Sequence, residues 1–221
     1  MKINRKRKTR TRKRIRSMNK EKRAYMCDVA TRTDEKHGNI LEGIPILYDT
    51  ETDIGGMWKE IIDRGALDQA DLKDVRFLVN HDVDSIPLAR SRNNNENSTM
   101  QMTVEEDGLH IRVDLDTEGN PRAKELYSAV KRQDVSGMSF MFSVKSDKWD
   151  DLDSEYPTRH ITALDKVFEV SAVTFPAYEQ TSINARSVET GQASLENARE
   201  ALENAKKTEE LRKQIIERCK K

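Results

Sequence analysis

Two things that would place a chain in a large class at once are missing from this sequence. No apolar run approaches the ~18 residues of a helical membrane span, and the basic start is not followed by an apolar segment. Neither a membrane protein nor a secretory signal is therefore expected. Cysteine is nearly absent. Cys27 and Cys219 stand alone near opposite ends, which excludes a disulfide framework or a metal cluster and fits a reducing compartment. Apolar side chains are scarce in residues 1–23, where only Met1, Ile3, Ile15 and Met18 occur. With no hydrophobic period, that stretch is expected to be a disordered arm. No aromatic interleaves its charges, so no sequence-specific reader of nucleic acid is expected there.

The formal charge of zero hides a division. Residues 1–23 hold thirteen Lys/Arg and one Glu, and the remainder holds 26 basic and 38 acidic residues. The chain is thus an acidic body with a strongly basic arm, suited to docking on nucleic acid or on an acidic protein surface. From Tyr25 to Arg186 it is long enough to bury about 70% of its unfolded surface around one core.

Within that body the pattern is mainly of strands. Cys27–Thr33 leans to β, and residues 36–39, with His37, turn. Ile40–Asp49 is a strand that Gly43 and Pro45 mark as bulged or at an edge. Met57–Leu67 fits a strand or a helical turn equally. In Val75–Asp82, Val75, Phe77, Val79 and His81 share one parity, which puts the imidazole at the end of an apolar face. Met100, Met102 and Val104 alternate, residues 105–108 turn through Asp-Gly, and Leu109, Ile111, Val113 and Leu115 alternate back as a hairpin. Asn120 as N-cap and Pro121 at the first helical position open a helix with Leu126, Ala129 and Val130 on its apolar face. After a charged loop read as mobile (Lys145–Tyr156), Val167–Thr174 alternates with Glu169, Ser171 and Val173 on one face, and Phe175–Tyr178 closes the body. Ser194–Lys221 forms an amphipathic helix of about 40 Å.

The stretch Val135–Val144 organises this chemistry. Gly137 bends into a strand with Ser139, Met141 and Ser143 on one face and Phe140, Phe142 and Val144 on the other, the period of a strand with one buried face. Acyl transfer by a serine needs an imidazole to take its proton and a further group to hold that imidazole. His81 can be base and then acid at neutral pH. Asp82 adjoins it, but successive strand residues point to opposite faces, so Glu169 is preferred as the third member, with His160 as the alternative. His110 falls on the polar face of the hairpin. Ser136 is the second candidate nucleophile.

These residues sit in a specific order of motifs: Gly43-Ile-Pro-Ile-Leu-Tyr48, Glu60-Ile-Ile-Asp-Arg-Gly-Ala66, Asn80-His-Asp82, Ile86-Pro-Leu-Ala-Arg90, Asp107-Gly-Leu109, Ser136-Gly-Met-Ser-Phe-Met-Phe142 and the run from Phe168 to Tyr178. In this order the chain resembles the tailed-phage prohead (capsid maturation) serine protease family, which is related to the herpesvirus capsid maturation proteases. Two positions depart from the family pattern. Ala89 stands where glycine is usual before Arg90, and Met141 where glycine is usual in Ser-Phe-Gly-Phe.

The resemblance implies an α+β, mainly β fold: a compact herpesvirus-protease-like β-barrel with flanking helices. The expected division is a basic arm (1–23), a protease domain (24–186), a linker (187–193) and a C-terminal amphipathic helix (194–221). His81 takes the base position, Ser139 the nucleophile's and Glu169 the third, with no cofactor and no metal required. The implied enzyme is an endopeptidase inside the immature procapsid in the host cytoplasm. Its implied substrates are scaffold and major-capsid-protein extensions, and then itself. Self-association through the helix and nucleic-acid contact through residues 1–23 are further expected partnerships. The competing expectation is a catalytically inactive, protease-like assembly protein of the procapsid, which Met141 and the long helix favour. A nucleic-acid-binding protein built on the basic arm is a third.

Overall fold

The computed structural model describes residues 20–26, 29–34, 38–174 and 185–219. Residues 1–19 of the arm, Cys27, the His37 turn and the Phe175–Tyr178 segment lie outside these. In chain order the elements are β1 (Glu21–Met26), β2 (Ala30–Asp34), β3 (Gly38–Leu47), β4 (Thr52–Asp53), β5 (Lys59–Ile62), β6 (Asp74–Val79), β7 (Ala89–Arg92), β8 (Met100–Val104), β9 (Gly108–Leu115), α1 (Pro121–Lys131), β10 (Gly137–Asp150), β11 (Thr158–Val173) and α2 (Ala185–Cys219). The described residues are mainly β with two helices, as expected. No helix among them is long and apolar enough to cross a membrane.

One sheet runs β1-β10-β11-β5-β4, with β6 also beside β11 and β7 beside β6; the other runs β2-β3-β9-β8. Core side chains come from both: Leu41, Ile46 and Val113 from the smaller sheet, Phe77, Phe140, Phe142 and Val170 from the larger, with Ala123, Leu126 and Val130 of α1. The sheets meet at corners through backbone bonds such as Thr99 N–H to Arg90 O (3.1 Å) and Asp49 N–H to Ile62 O (2.9 Å). The described strands therefore form two joined sheets, and no closed barrel is present among them.

Much of the local reading matches. The register of β3 on β9 shifts between Gly43 and Ile46, the bulge that Gly43 and Pro45 announce. Gly108 follows its turn at φ 154°, and a Cβ there would lie 1.9 Å from Ile46 O, so only glycine fits against β3. Asn120 caps α1 by accepting from Arg122 N–H at 3.0 Å. The ambiguous segment after Met57 is a strand, β5, followed by turns.

Four expectations are corrected. Residues 21–23 are not part of a disordered arm: they begin β1, with Glu21 and Arg23 0% and 4% exposed, because edge pairing to β10 and buried charge partners hold them. β10 does not have one buried face. Every residue from Gly137 to Ser143 is buried, since the strand lies between β1 and β11 and polar groups cover the side opposite the core. The charged segment after Val144 continues β10 to Asp150 and pairs with β11; Trp149, packed edge-on to Trp58 with ring centroids 5.7 Å apart, anchors it. Residues 187–193 are helical within α2. Gly191 lets that helix lie on Trp58, where a Cβ would come within 2.4 Å of the indole, and Ser194 Oγ bridges Trp149 Nε1 (3.0 Å) and Asp147 Oδ2 (2.8 Å). Past Leu202 the helix is exposed.

Candidate active site

Three adjacent strands converge on the site. β11 pairs antiparallel with β10, placing Ser139 directly opposite Ser171 and Met141 opposite Glu169. Because side chains alternate along a strand, Ser139, Glu169 and Ser171 all lie on the face away from Val170 and Ala172, which are in the core. β6 runs parallel to β11 on its other side, with Val79 opposite Ala172. The chain leaving β6 therefore arrives over that face.

His81 is not the last residue of the strand. β6 stops at Val79, and both Asn80 and His81 adopt left-handed backbone, at φ 51° and 58°. Parity brings His81 to this face, but a tight turn and not the strand aims the imidazole. Asparagine tolerates this conformation well, and Asn80 is fixed further by its N–H to Ala172 O (2.9 Å) and by accepting Thr174 N–H at 3.0 Å. Ser171 Oγ then accepts the His81 N–H at 3.1 Å and donates to Glu169 Oε2 at 2.6 Å. One hydroxyl thus ties the turn to the carboxylate.

The three expected residues meet. Ser139 Oγ lies 2.6 Å from His81 Nε2, and His81 Nδ1 lies 2.5 Å from Glu169 Oε1. Glu169 can only accept while ionised, so it selects the proton on Nδ1 and leaves Nε2 facing the serine. Exposure is graded: Ser139 is 1% exposed, the Glu169 side chain 3% and the His81 side chain 17%. Met141 sits beside Glu169 in register and does not keep Ser139 from the imidazole.

Ser139 Oγ has a second partner, Arg23 O of β1, at 2.6 Å. One hydroxyl proton cannot serve both acceptors. If it goes to Arg23 O, the imidazole must present a proton from Nε2; if it goes to His81, the hydroxyl is primed for attack.

Next to this lies a second buried polar cluster that the sequence reading missed. The Arg23 side chain bonds both Glu60 oxygens, with Nη2 to Oε2 at 2.7 Å, and donates to Glu21 at 2.7 Å. Arg159 donates to Glu21 at 2.9 Å, Glu60 at 3.0 Å and Asp147 at 2.7 Å. Burial alone would raise the pKa of Glu60; the guanidinium groups of Arg23 and Arg159 outweigh it and hold the carboxyl below its ordinary value. Burial alone would lower the pKa of both arginines, and their carboxylate partners reverse that and raise it. Glu60, Arg23 and Arg159 therefore keep their charges.

The other candidates lie elsewhere or have other partners. His160 Nδ1 is 2.7 Å from Asp63 Oδ1, and Asp82 is exposed and accepts from Ser85. It is Ser139, not Ser136, that bonds His81. His110 is held by Asp107 at 2.7 Å; with Glu105 they are the trio of potential metal ligands among the described residues, on the largely exposed β8–β9 turn. A cleft of about 890 Å³ lies between the outer half of β10 and α2, lined by Glu21, Trp149, Arg159 and Asn197 among others, and none of the three site residues lines it.

The family described as caudovirus prohead serine protease matches residues 27–194. No curated protein matches the chain. A solved structure, that of the bacteriophage T4 capsid assembly protease, is similar at 14% identity over 69% of this chain and 98% of that one, with a TM-score of 0.35.

Proposed function

We propose, since this chain belongs to the caudovirus prohead serine protease family, that it is a serine endopeptidase acting inside the immature procapsid in the host cytoplasm. Its substrates in this reading are scaffold and major-capsid-protein extensions, and the chain itself. Kinship in fold with the herpesvirus capsid proteases, self-association through α2 and charge docking by the basic residues ahead of β1 belong to the same proposal. The observation that carries it is the relay of Ser139 Oγ, His81 Nε2 and Nδ1, and Glu169 Oε1 at 2.6 and 2.5 Å.

In this mechanism Ser139 Oγ attacks a peptide carbonyl carbon while His81 Nε2 takes its proton. Glu169 steadies the resulting imidazolium and fixes its orientation. The C–N bond breaks as His81 passes the proton to the departing amine, and water then releases the acyl group from Ser139 by the same route in reverse. The proton transfer from Ser139 and the support of His81 by Glu169 use groups already within hydrogen-bonding distance.

The test is coexpression with capsid and scaffold proteins, followed by mass spectrometry. Processing that disappears in both S139A and H81A supports the peptidase. An uncut wild-type mixture in which the chain still enters procapsids supports instead the inactive assembly protein.

A further inference from the structure

We propose that the edge of β10 beside Ser139 is the substrate-binding site, that β1 occupies it as the chain's own first substrate, and that the site selects a basic residue just before the cut bond and an acidic one two positions earlier. This rests on the peptidase reading and names its substrate class.

Three observations converge on β1. It is an edge strand whose partner is β10, antiparallel, with Ala24 opposite Ser139 and Arg23 opposite Phe140. An extended peptide added to a sheet edge gains affinity from main-chain hydrogen bonds and specificity from pockets for alternate side chains. Second, Ser139 Oγ donates to the Arg23 carbonyl oxygen, 116 residues away in sequence, at 2.6 Å, which sets the Arg23–Ala24 bond beside the nucleophile. Third, the alternate side chains Glu21 and Arg23 fill a charged slot built by other strands, Glu60 of β5 and Arg159 of β11. A buried ion-pair network adds little stability over apolar residues of the same volume. It does discriminate strongly, because a neutral residue in the slot leaves a desolvated carboxylate or guanidinium without its partner.

The reaction at β1 is balanced by groups present. Ser139 Oγ bonds to the Arg23 carbonyl carbon, the hydroxyl proton goes to His81 Nε2, and the Arg23–Ala24 C–N bond breaks with that proton going to the Ala24 amine. Water then splits the ester, leaving a carboxylate on Arg23 and the hydroxyl on Ser139. Residues 1–23, with thirteen Lys/Arg and one Glu, are thereby detached, and the β10 edge is opened to a peptide from another chain. Until then the Arg23 carbonyl competes with His81 for the serine proton.

The experiment follows the full-length chain and S139A by intact-mass spectrometry at neutral pH. The expected products end at Arg23 and begin at Ala24, and are absent from S139A. Ser139-dependent cuts only at other bonds, in the chain or in an added peptide, overturn the assignment of β1 and leave the peptidase standing; no Ser139-dependent cut of any kind overturns the peptidase reading itself. The selectivity is read on the wild type with the peptide Glu-Lys-Arg-Ala-Tyr-Met and versions carrying lysine or glutamine in place of arginine. Lysine should be cut within about tenfold of arginine and glutamine at least about tenfold more slowly. Equal rates for arginine and glutamine overturn the Glu60 slot. Glu60→Gln, checked for folding by circular dichroism, should shrink the arginine-to-glutamine ratio, and an unchanged ratio counts against Glu60 as the reader.

Discussion

Two buried polar clusters share the β10–β11 strand pair and are built oppositely. In one, Ser139, His81, Glu169 and Ser171 form a hydrogen-bonded chain, with its imidazole reached by solvent and carried on a left-handed turn. In the other, Glu21, Arg23, Glu60 and Arg159 are almost fully enclosed, and each charge is held by its neighbours. A device that moves protons needs a group that changes charge near neutral pH and an opening beside it. A device that fixes or selects a charged side chain needs charges that stay. The contrast predicts that substitutions in the first cluster act mainly on rate, and those in the second on stability and on which side chain the slot accepts.

The largest expected effect tests the first half of that statement. S139A should lower proteolysis by at least ~10⁴-fold, and E169Q by about 10²–10⁴-fold, since glutamine cannot balance the imidazolium. Both should melt within a few degrees of the wild type, as scanning calorimetry beside a cleavage assay would show. A large loss of stability in S139A would erase the contrast.

The converse comes next. In an S139A background, so that no cleavage intervenes, E60A should cost about 3 kcal/mol, because it removes the carboxylate that two buried guanidinium groups share and leaves them Glu21 and Asp147; urea unfolding reads this directly. Acid sharpens the same point. Glu60 is held below its ordinary carboxylate value of 4.5, so its contribution is complete above that pH and is lost as pH falls through the lower folded value. The stability gap between S139A and S139A/E60Q should therefore be constant near neutrality and shrink on acidification below pH 4.5.

The same division explains what could be seen in the sequence. The β8–β9 hairpin, the Asn120 cap and the faces of Ser139 and Glu169 follow local rules of period and turn chemistry, and they are present as expected. Parity marks His81 as a candidate, but its aim comes from two successive left-handed residues, which alternation cannot signal. Ser171 was visible as sharing a face with Glu169, and nothing in that pattern marks it as the bridge to the His81 backbone. The charged cluster left no trace at all. Its members are 37, 99 and 138 positions apart, and a pairing between distant strands has no periodicity. Glu21 and Arg23 also sit at the end of a run of lysines and arginines, so composition assigned them to a solvated arm. The join of 187–193 to α2 depends on Gly191 meeting Trp58, again a distant contact.

The smallest predicted effect decides whether the first cluster works as one unit. Ser171 touches neither a substrate nor the reacting hydroxyl; it links the His81 backbone N–H to Glu169 Oε2 at 3.1 and 2.6 Å. S171A should leave both groups in place while removing what holds their mutual angle. One hydrogen bond is worth about 1 kcal/mol, or about fivefold in rate. The loss should fall on kcat with KM unchanged, because substrate contacts are untouched, and S171T, which keeps the hydroxyl, should recover most of it. Unfolding should show about 1 kcal/mol for the half-buried His81 N–H that loses its partner, less than for E60A. If S171A instead raised KM and left kcat alone, Ser171 would belong to the binding of the peptide, and the boundary drawn between a cluster that moves protons and one that grips charge would have to run through Ser171 itself.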